Sequence, residues 1–202
     1  MASILVSGDT SGAITISAPL VAGSGVLTLP TGTDTLIGKA TTDTLTNKSI
    51  AATQLTGTIA AARLPAGSVI QVVSATATTN TSSAAAGYVT VGLSVAITPN
   101  FSSSKVLVLV NGGNLDTNTT NRQAYATILR NGTNLNGGPS SGMQDAFSSA
   151  GRLITPISIS YLDSPATTSS TTYAAAMYSG GSLISFNSQF STISIIAMEI
   201  AG

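Results

Sequence analysis

The chain has 202 residues, seven basic and seven acidic side chains, a formal net charge of zero and only 7% charged residues. Ordinary soluble domains carry about 25%. A surface this poor in charge releases few counterions from a phosphate backbone and offers no Lys/Arg cluster to an anionic membrane, so neither a nucleic-acid partner nor a membrane one is expected. Cysteine, histidine and tryptophan are absent. That excludes a disulfide framework and a Cys/His zinc site, and it removes the commonest general base.

Low charge does not mean disorder here. Disordered chains join low hydrophobicity to high net charge, whereas 43% of this chain is hydrophobic and its net charge is zero. Its Thr, Val and Ile suit pleated, half-buried surfaces. An ordered β-rich protein with a hydroxyl-coated exterior is expected. MASILVSGDT at the start has neither the basic region nor the apolar run of a secretory signal, and no stretch approaches the roughly 20 apolar residues of a membrane helix. The chain is expected to be made in a cytoplasm without signal-led export.

The first 87 residues contain no aromatic side chain; the five Tyr and four Phe all lie at or after Tyr88. Aromatics carry much of a core's buried area, so a boundary is expected near Gly67, after the breaker Leu64-Pro65-Ala66-Gly67. Residues 1–67 read as an anchor and stalk, and residues 68–202 as a β-sandwich knob. In the first part, AITISAP (13–19) alternates with Ile14 and Ile16 on one face, and VLTLPTG (26–32) with Leu27 and Leu29 on one face. TDTLIGK and TDTLTNK follow nine residues apart. The large apolar residues Leu36, Leu45, Ile50, Leu55, Ile59 and Leu64 then recur at neither the helix nor the strand period. One chain cannot bury so sparse a set. Three chains around an axis could, so these six are the expected trimer or anchor contacts. IAAARL is too short for a helix and is stopped by Pro65.

The second part carries strand patterns. GSVIQVVSAT opens it. In YVTVGLSVAITP, Val89, Val91, Leu93, Val95 and Ile97 share one face. KVLVLV (105–110) is continuously apolar, as in a central strand covered on both sides. Asn131-Gly132 predicts a two-residue hairpin turn, since both residues accept positive φ, and Gly180-Gly181 predicts another tight turn. ITPISISYL, TYAAAMYSGGSLISF and STISIIAMEI complete the series. In the last, Ile193 and Ile195 take one parity and Ile196, Met198 and Ile200 the other, which predicts a β-bulge. About eight strands with polar turns imply an all-β, antiparallel sandwich of jelly-roll type.

The chemistry-bearing motifs are weak. A glycosidase needs paired carboxylates, and the knob offers only Asp116, Asp145, Asp163 and Glu199. Asp116 and Asp163 sit in turn-like contexts suited to backbone capping, although pairs across chains of a trimer stay open. The run from Asp116 to Thr120 lacks the glycine and the final acid of a calcium loop. Gly23-Ser24-Gly25 precedes a strand rather than a helix, unlike a phosphate loop. The Asn-x-Ser/Thr triplets at Asn47, Asn80, Asn100, Asn118 and Asn131 are what a Ser/Thr-rich chain contains by chance. No cofactor, metal or catalytic residue is expected. Residues 111–121 and 131–152 read as long polar loops, the usual place for binding on a rigid sandwich. The candidate contact residues are Asn114, Asp116, Asn118, Asn121, Tyr125, Asn136, Asp145 and Phe147.

GAITISAP, VLTLP, DTLTNKSI and LTGTIAAARLPAGSVIQVV occur in the order found in the small fibre proteins of tailed bacteriophages, and the chain resembles that family. DTLTNK and the junction from LTGTIAAARLP to GSVIQVV are its most specific marks. The resemblance implies a homotrimeric, non-enzymatic virion protein, anchored by its N-terminal arm to a major capsid or tail protein, with a knob that meets a host-surface glycan or protein. Two placements follow, a capsid-attached head fibre or decoration protein and a short tail fibre. The family's larger adaptor domain and the long β-helix of its sugar-cleaving spikes have no counterpart here. Two other classes remain open from the residues alone: a glycan-cleaving tailspike and a cellular adhesin or lectin.

Overall fold

The computed structural model describes residues 3–7, 12–17, 24, 49–51, 53 and 56–202. VLTLPTG, both TDTL blocks, Leu36, Leu45 and Leu55 lie outside them. The chain divides into two units, Met1–Thr56 and Gly57–Gly202.

In the first unit β1 (Ser3–Ser7) and β2 (Ala13–Ser17) form an antiparallel hairpin, with Ile4 opposite Ile16 and Val6 opposite Ile14. AITIS is thus a strand, as its alternation predicts. Leu5 and Val6 are exposed, and so is Ile50.

The second unit opens with exposed Ile59 and a single 3-10 turn over Ala61–Arg63, which Leu64 and Pro65 end. The strands then follow in order: β3 (Val69–Ala77), β4 (Thr81–Ser83), β5 (Tyr88–Ile97), β6 (Lys105–Asp116), β7 (Arg122–Arg130), β8 (Thr133–Asn134), β9 (Gln144–Ser148), β10 (Ile154–Asp163), β11 (Thr171–Tyr178), β12 (Ile184–Phe186) and β13 (Ile193–Ile200). All pairings are antiparallel.

They fill two four-column sheets. In the first, β10 lies beside β6; β13 and then β12 flank the other side of β6; β3 and β4 pair with β13 and β12 at the edge. In the second, the order is β5, β11, β7, with β8 and β9 sharing the far side of β7. The inward residues of both sheets form one core. Val91, Leu93, Val95 and Ile97 of β5 meet Val106, Val108 and Val110 of β6, with Tyr173, Phe186, Ile193 and Ile195 among them. This is an antiparallel β-sandwich, and the alternation in β5 is the one its sequence predicts.

Four expectations about these strands need correction. Asn111 to Asp116 is not loop: β6 continues to Asp116. Gly112 and Gly113 form a bulge, because both take positive φ (93° and 63°) and the two together oppose Ile157 where the register with β10 shifts. The 131–152 stretch likewise contains β8 and β9. The bulge expected at the parity change in the last strand is absent. β13 runs in unbroken register with β6 from Ile193 to Ile200, with Ile193, Ile195, Ala197 and Glu199 turned inward. Ile196, Met198 and Ile200 face outward instead. Likewise Leu107 and Leu109, expected to be covered, are only half-buried.

The Asn131-Gly132 turn joins β7 to β8 with φ of 48° and 84°, so the hairpin signal in the sequence holds. At one end of the sandwich, its base, β3 starts beside the end of β13: Gly67 N–H donates to Ala201 O at 2.8 Å and Ala201 N–H to Ser68 O at 2.9 Å. Six connections, 78–80, 84–87, 117–121, 149–153, 179–183 and 187–192, gather at the opposite end, the apex.

Candidate contact surface

The apex is built around Asp116, whose side chain is fully buried at the end of β6. Arg152 reaches it from the β9–β10 connection, with Nε 2.9 and 3.0 Å from the two carboxylate oxygens and Nη2 also bonded. Asn118 N–H donates to Asp116 Oδ1 at 2.8 Å, and the Asn118 amide donates to Ser185 Oγ at 2.9 Å. Burial pushes the Asp116 pKa up, but the Arg152 and Asn118 hydrogen bonds outweigh it and hold the carboxyl below its ordinary value. Thr117 and Leu153 exchange backbone and hydroxyl bonds across the same junction. Asn114 Oδ1 accepts from Ser188 N–H and Oγ, and Asn187 N–H donates to Asn114 O. These bonds fix two connections, 117–121 and 187–192, to the last residues of one strand.

Around this braced centre stand exposed groups. Asn121 takes positive φ (52°) at a turn. Phe147, Leu183 and Phe190 are 56%, 54% and 66% exposed. A shallow depression of ≈ 220 Å³ lies beside Phe147, lined also by Ser149, Arg152 and Leu153. Asn114 and Asp116 therefore serve the apex from inside, while Asn118, Asn121 and Phe147 lie nearer its surface.

The other candidates fall elsewhere. Tyr125 stands on the outer face of the second sheet, in one row with Tyr88 and Tyr178; ring centroids are 5.2 Å apart for Tyr88 and Tyr178 and 6.1 Å for Tyr125 and Tyr178. Segment 134–143 folds over this row. Tyr88 OH donates toward Gly138 O and Ser141 O, at 2.8 and 2.7 Å, and accepts from the Asn134 amide at 2.6 Å. Tyr178 OH pairs with Ser140 Oγ at 3.0 Å. Asn136 braces the segment from within, donating to Ser141 Oγ and Gly142 O. Asp145, opposite Tyr125 on β9, is exposed. At the base end of this sheet, an open groove of ≈ 440 Å³ is lined by Thr90, Gly92, Ser94, Asn131, Thr172 and Ala174. Its walls offer hydroxyls, an amide and backbone beside the apolar Leu93 and Ala174, with no titratable group.

Two carboxylate networks had no sequence signal. Glu199 is fully buried, and no ion pair among the described residues reaches it. It accepts from Gln71 Nε2 (2.6 Å), Asn100 N–H (2.6 Å), Asn100 Nδ2 (2.8 Å) and Ser104 Oγ (2.7 Å). Burial raises its pKa, but these donors more than offset that and bring it below the ordinary value. Asp163 holds Arg130 Nη1 at 2.9 and 3.0 Å and accepts from Tyr173 OH at 2.6 Å. Burial, then the bond to Asp163, pushes the Tyr173 hydroxyl well above its usual value. Apart from Tyr173, ten residues from Asp163, the partners lie 33 to 128 residues apart in the chain, so no spacing motif announces either network.

Among the described residues no group of three or more His, Cys, Asp or Glu could hold a metal ion, and no helix is long and apolar enough to cross a membrane. No known protein family matches this chain, and no curated protein matches it.

Proposed function

We propose that this chain is a structural, non-enzymatic virion protein of a tailed phage: a trimeric fibre or spike with an N-terminal anchor and stalk and a C-terminal knob that touches the host surface. The strand order within the two sheets, with β3/β4 beside β13/β12, then β6, then β10, facing β5, β11, β7 and β8/β9, supports a jelly-roll reading of the sandwich. The observation that carries the reading is polarity. The chain enters the sandwich at its base, and the braced loop cluster with exposed Phe147, Leu183 and Phe190 lies at the far end. A rigid scaffold with loops gathered at one end suits adhesion, and three linked copies would turn weak contacts into avidity.

The carboxylates support a non-catalytic reading. Asp116, Asp163 and Glu199 are each engaged by donors from neighbouring strands and loops, and only Asp145 of the four is exposed. Purified protein should leave the viscosity of host-surface polysaccharide unchanged; a fall in viscosity that Asp145→Asn abolishes would revive the glycan-cleaving spike.

The placing experiment uses gold-labelled antibody to the sandwich on intact phage particles. Label over the head makes this a capsid fibre or decoration protein, and label at the tail makes it an adsorption fibre. Particles without label would contradict the virion reading.

A further inference from the structure

The outer face of the first sheet is apolar where an isolated sandwich would be polar. The registers set it out row by row. Val72, Met198, Leu107 and Leu162 form one row across β3, β13, β6 and β10; Ser74, Ile196, Leu109 and Ser160 form the next toward the apex. Ile200 and Lys105 lie toward the base. Val72 and Leu162 are 56% and 51% exposed, while Met198, Leu107, Ile196 and Leu109 are half-buried by one another. The only charge on these rows is Lys105, at the rim. Nothing among the described residues closes over them.

Antiparallel sheets with a wet face alternate apolar and polar residues; strands apolar on both parities belong to sheets covered on both sides. β6 reads VLVLV, apolar on both parities, and β13 is apolar on its outward parity at Ile196, Met198 and Ile200 and inward at Ile193, Ile195 and Ala197, with Glu199 the one inward carboxylate. These strands have the composition of a doubly covered layer, and this chain covers one side. Four columns at about 4.8 Å and strands of about eight residues make a face of the order of 500 Å² before side-chain relief is counted. The two apolar rows fill about half of it and the rest carries Ser158, Asn111, Ser194 and Lys105, so the whole face comes within reach of the ~800 Å² per partner of a standard interface.

We infer that this face joins copies of the chain to one another and supplies most of the association energy of the assembly. Charge selects the occupant. A partner bearing charges would strand them against an uncharged centre, at a desolvation cost that nothing on the face repays. Around a three-fold axis, the same face of three copies brings apolar side chains to the middle and hydroxyls and amides, from Ser74, Ser158, Ser160, Ser194 and Asn111, to the edge. With zero net charge, copies do not repel. The inference rests on the trimeric reading above and names the surface that would hold the trimer.

The test is sedimentation of the full chain at micromolar concentration, for the parent and for Leu107→Asp and Leu162→Asp. Leu162 is exposed, so its replacement does not threaten folding, and circular dichroism checks both variants. The expected result is an oligomeric parent and variants whose association weakens at least a hundredfold, with the strand signal intact. Folded variants that keep the parent's oligomeric state would overturn the inference, and so would a monomeric parent. Label on particles together with unaffected variants would sink this face while leaving the fibre reading in place.

Discussion

On the sheet of β5, β11 and β7, the outward tyrosines 88, 125 and 178 lie beneath segment 134–143, which is bonded to two of them. On the sheet of β3, β13, β6 and β10, the outward row of Val72, Met198, Leu107 and Leu162 has no such lid among the described residues. The first face keeps its large side chains dry by spending a loop of the same chain on them, and uses phenol groups that bond to that loop's backbone. The second uses aliphatic side chains that can bond to nothing. Tyrosine suits a surface with one wet edge; Leu, Ile, Met and Val suit a surface closed by another apolar surface. The contrast separates a face finished within the chain from one finished by assembly.

Breaking the uncovered sheet from within should cost most. A side chain at Gly112 would run into the Thr192 carbonyl, and its φ of 93° disfavours any L side chain. Gly112→Val is expected to destabilise the sandwich by about 3 kcal/mol or more, measured by urea unfolding. Glu199→Ala leaves Gln71, Asn100 and Ser104 facing an empty, buried site, and a loss of about 3 kcal/mol is expected in the same experiment. A loss within experimental error would mean that the cage of donors is not what holds the base together.

Acid should act through the same groups. The folded-state pKa values of Asp116 and Glu199 are depressed, so the stability they contribute is present above their ordinary values of 3.8 and 4.5 and disappears as pH falls through the depressed ones. Thermal unfolding should therefore show little change from pH 7 to pH 5 and a falling midpoint below about pH 4. With no histidine in the chain, a transition between pH 6 and pH 7 would contradict this assignment.

Smaller effects are expected on the covered face. Asn134 bridges Thr127 Oγ1 and Tyr88 OH, and Asn134→Ala should cost about 1–2 kcal/mol. It should also speed hydrogen exchange in 134–143 without changing the oligomeric state. Tyr178→Phe removes only the bond to Ser140 and should cost no more than about 1 kcal/mol. If either variant dissociated the assembly, the two faces would have been assigned the wrong way round.

Much of the sandwich can be read from local pattern. The alternation in β5 and the Asn131-Gly132 turn each depend on neighbouring residues, and both appear as the sequence implies. What failed depended on distant ones. Gly112 and Gly113 look like loop glycines until β10 shows them to be a bulge inside a strand. The two parities of Ile in the last strand look like a bulge until β6 shows the strand in unbroken register with it, with large apolar side chains on both faces and Glu199 among the inward ones. Asp116 looks like a turn residue available for contact; its burial depends on Arg152, 36 positions away. Of the expected arm contacts, Ile50 and Ile59 are exposed and Leu64 is half-buried.

The most direct test uses the absence of cysteine from the chain. Leu109→Cys puts a single thiol at the middle of the aliphatic face, and Ala96→Cys puts one on the outer face of β5. Maleimide labelling rates would be followed as the full-length protein is diluted from micromolar to nanomolar. Protection by another copy must weaken on dilution, so Leu109→Cys should label slowly when concentrated and quickly when dilute, while Ala96→Cys labels quickly throughout. A Leu109→Cys rate that is the same at every concentration would contradict the claim that copies of this chain cover that face.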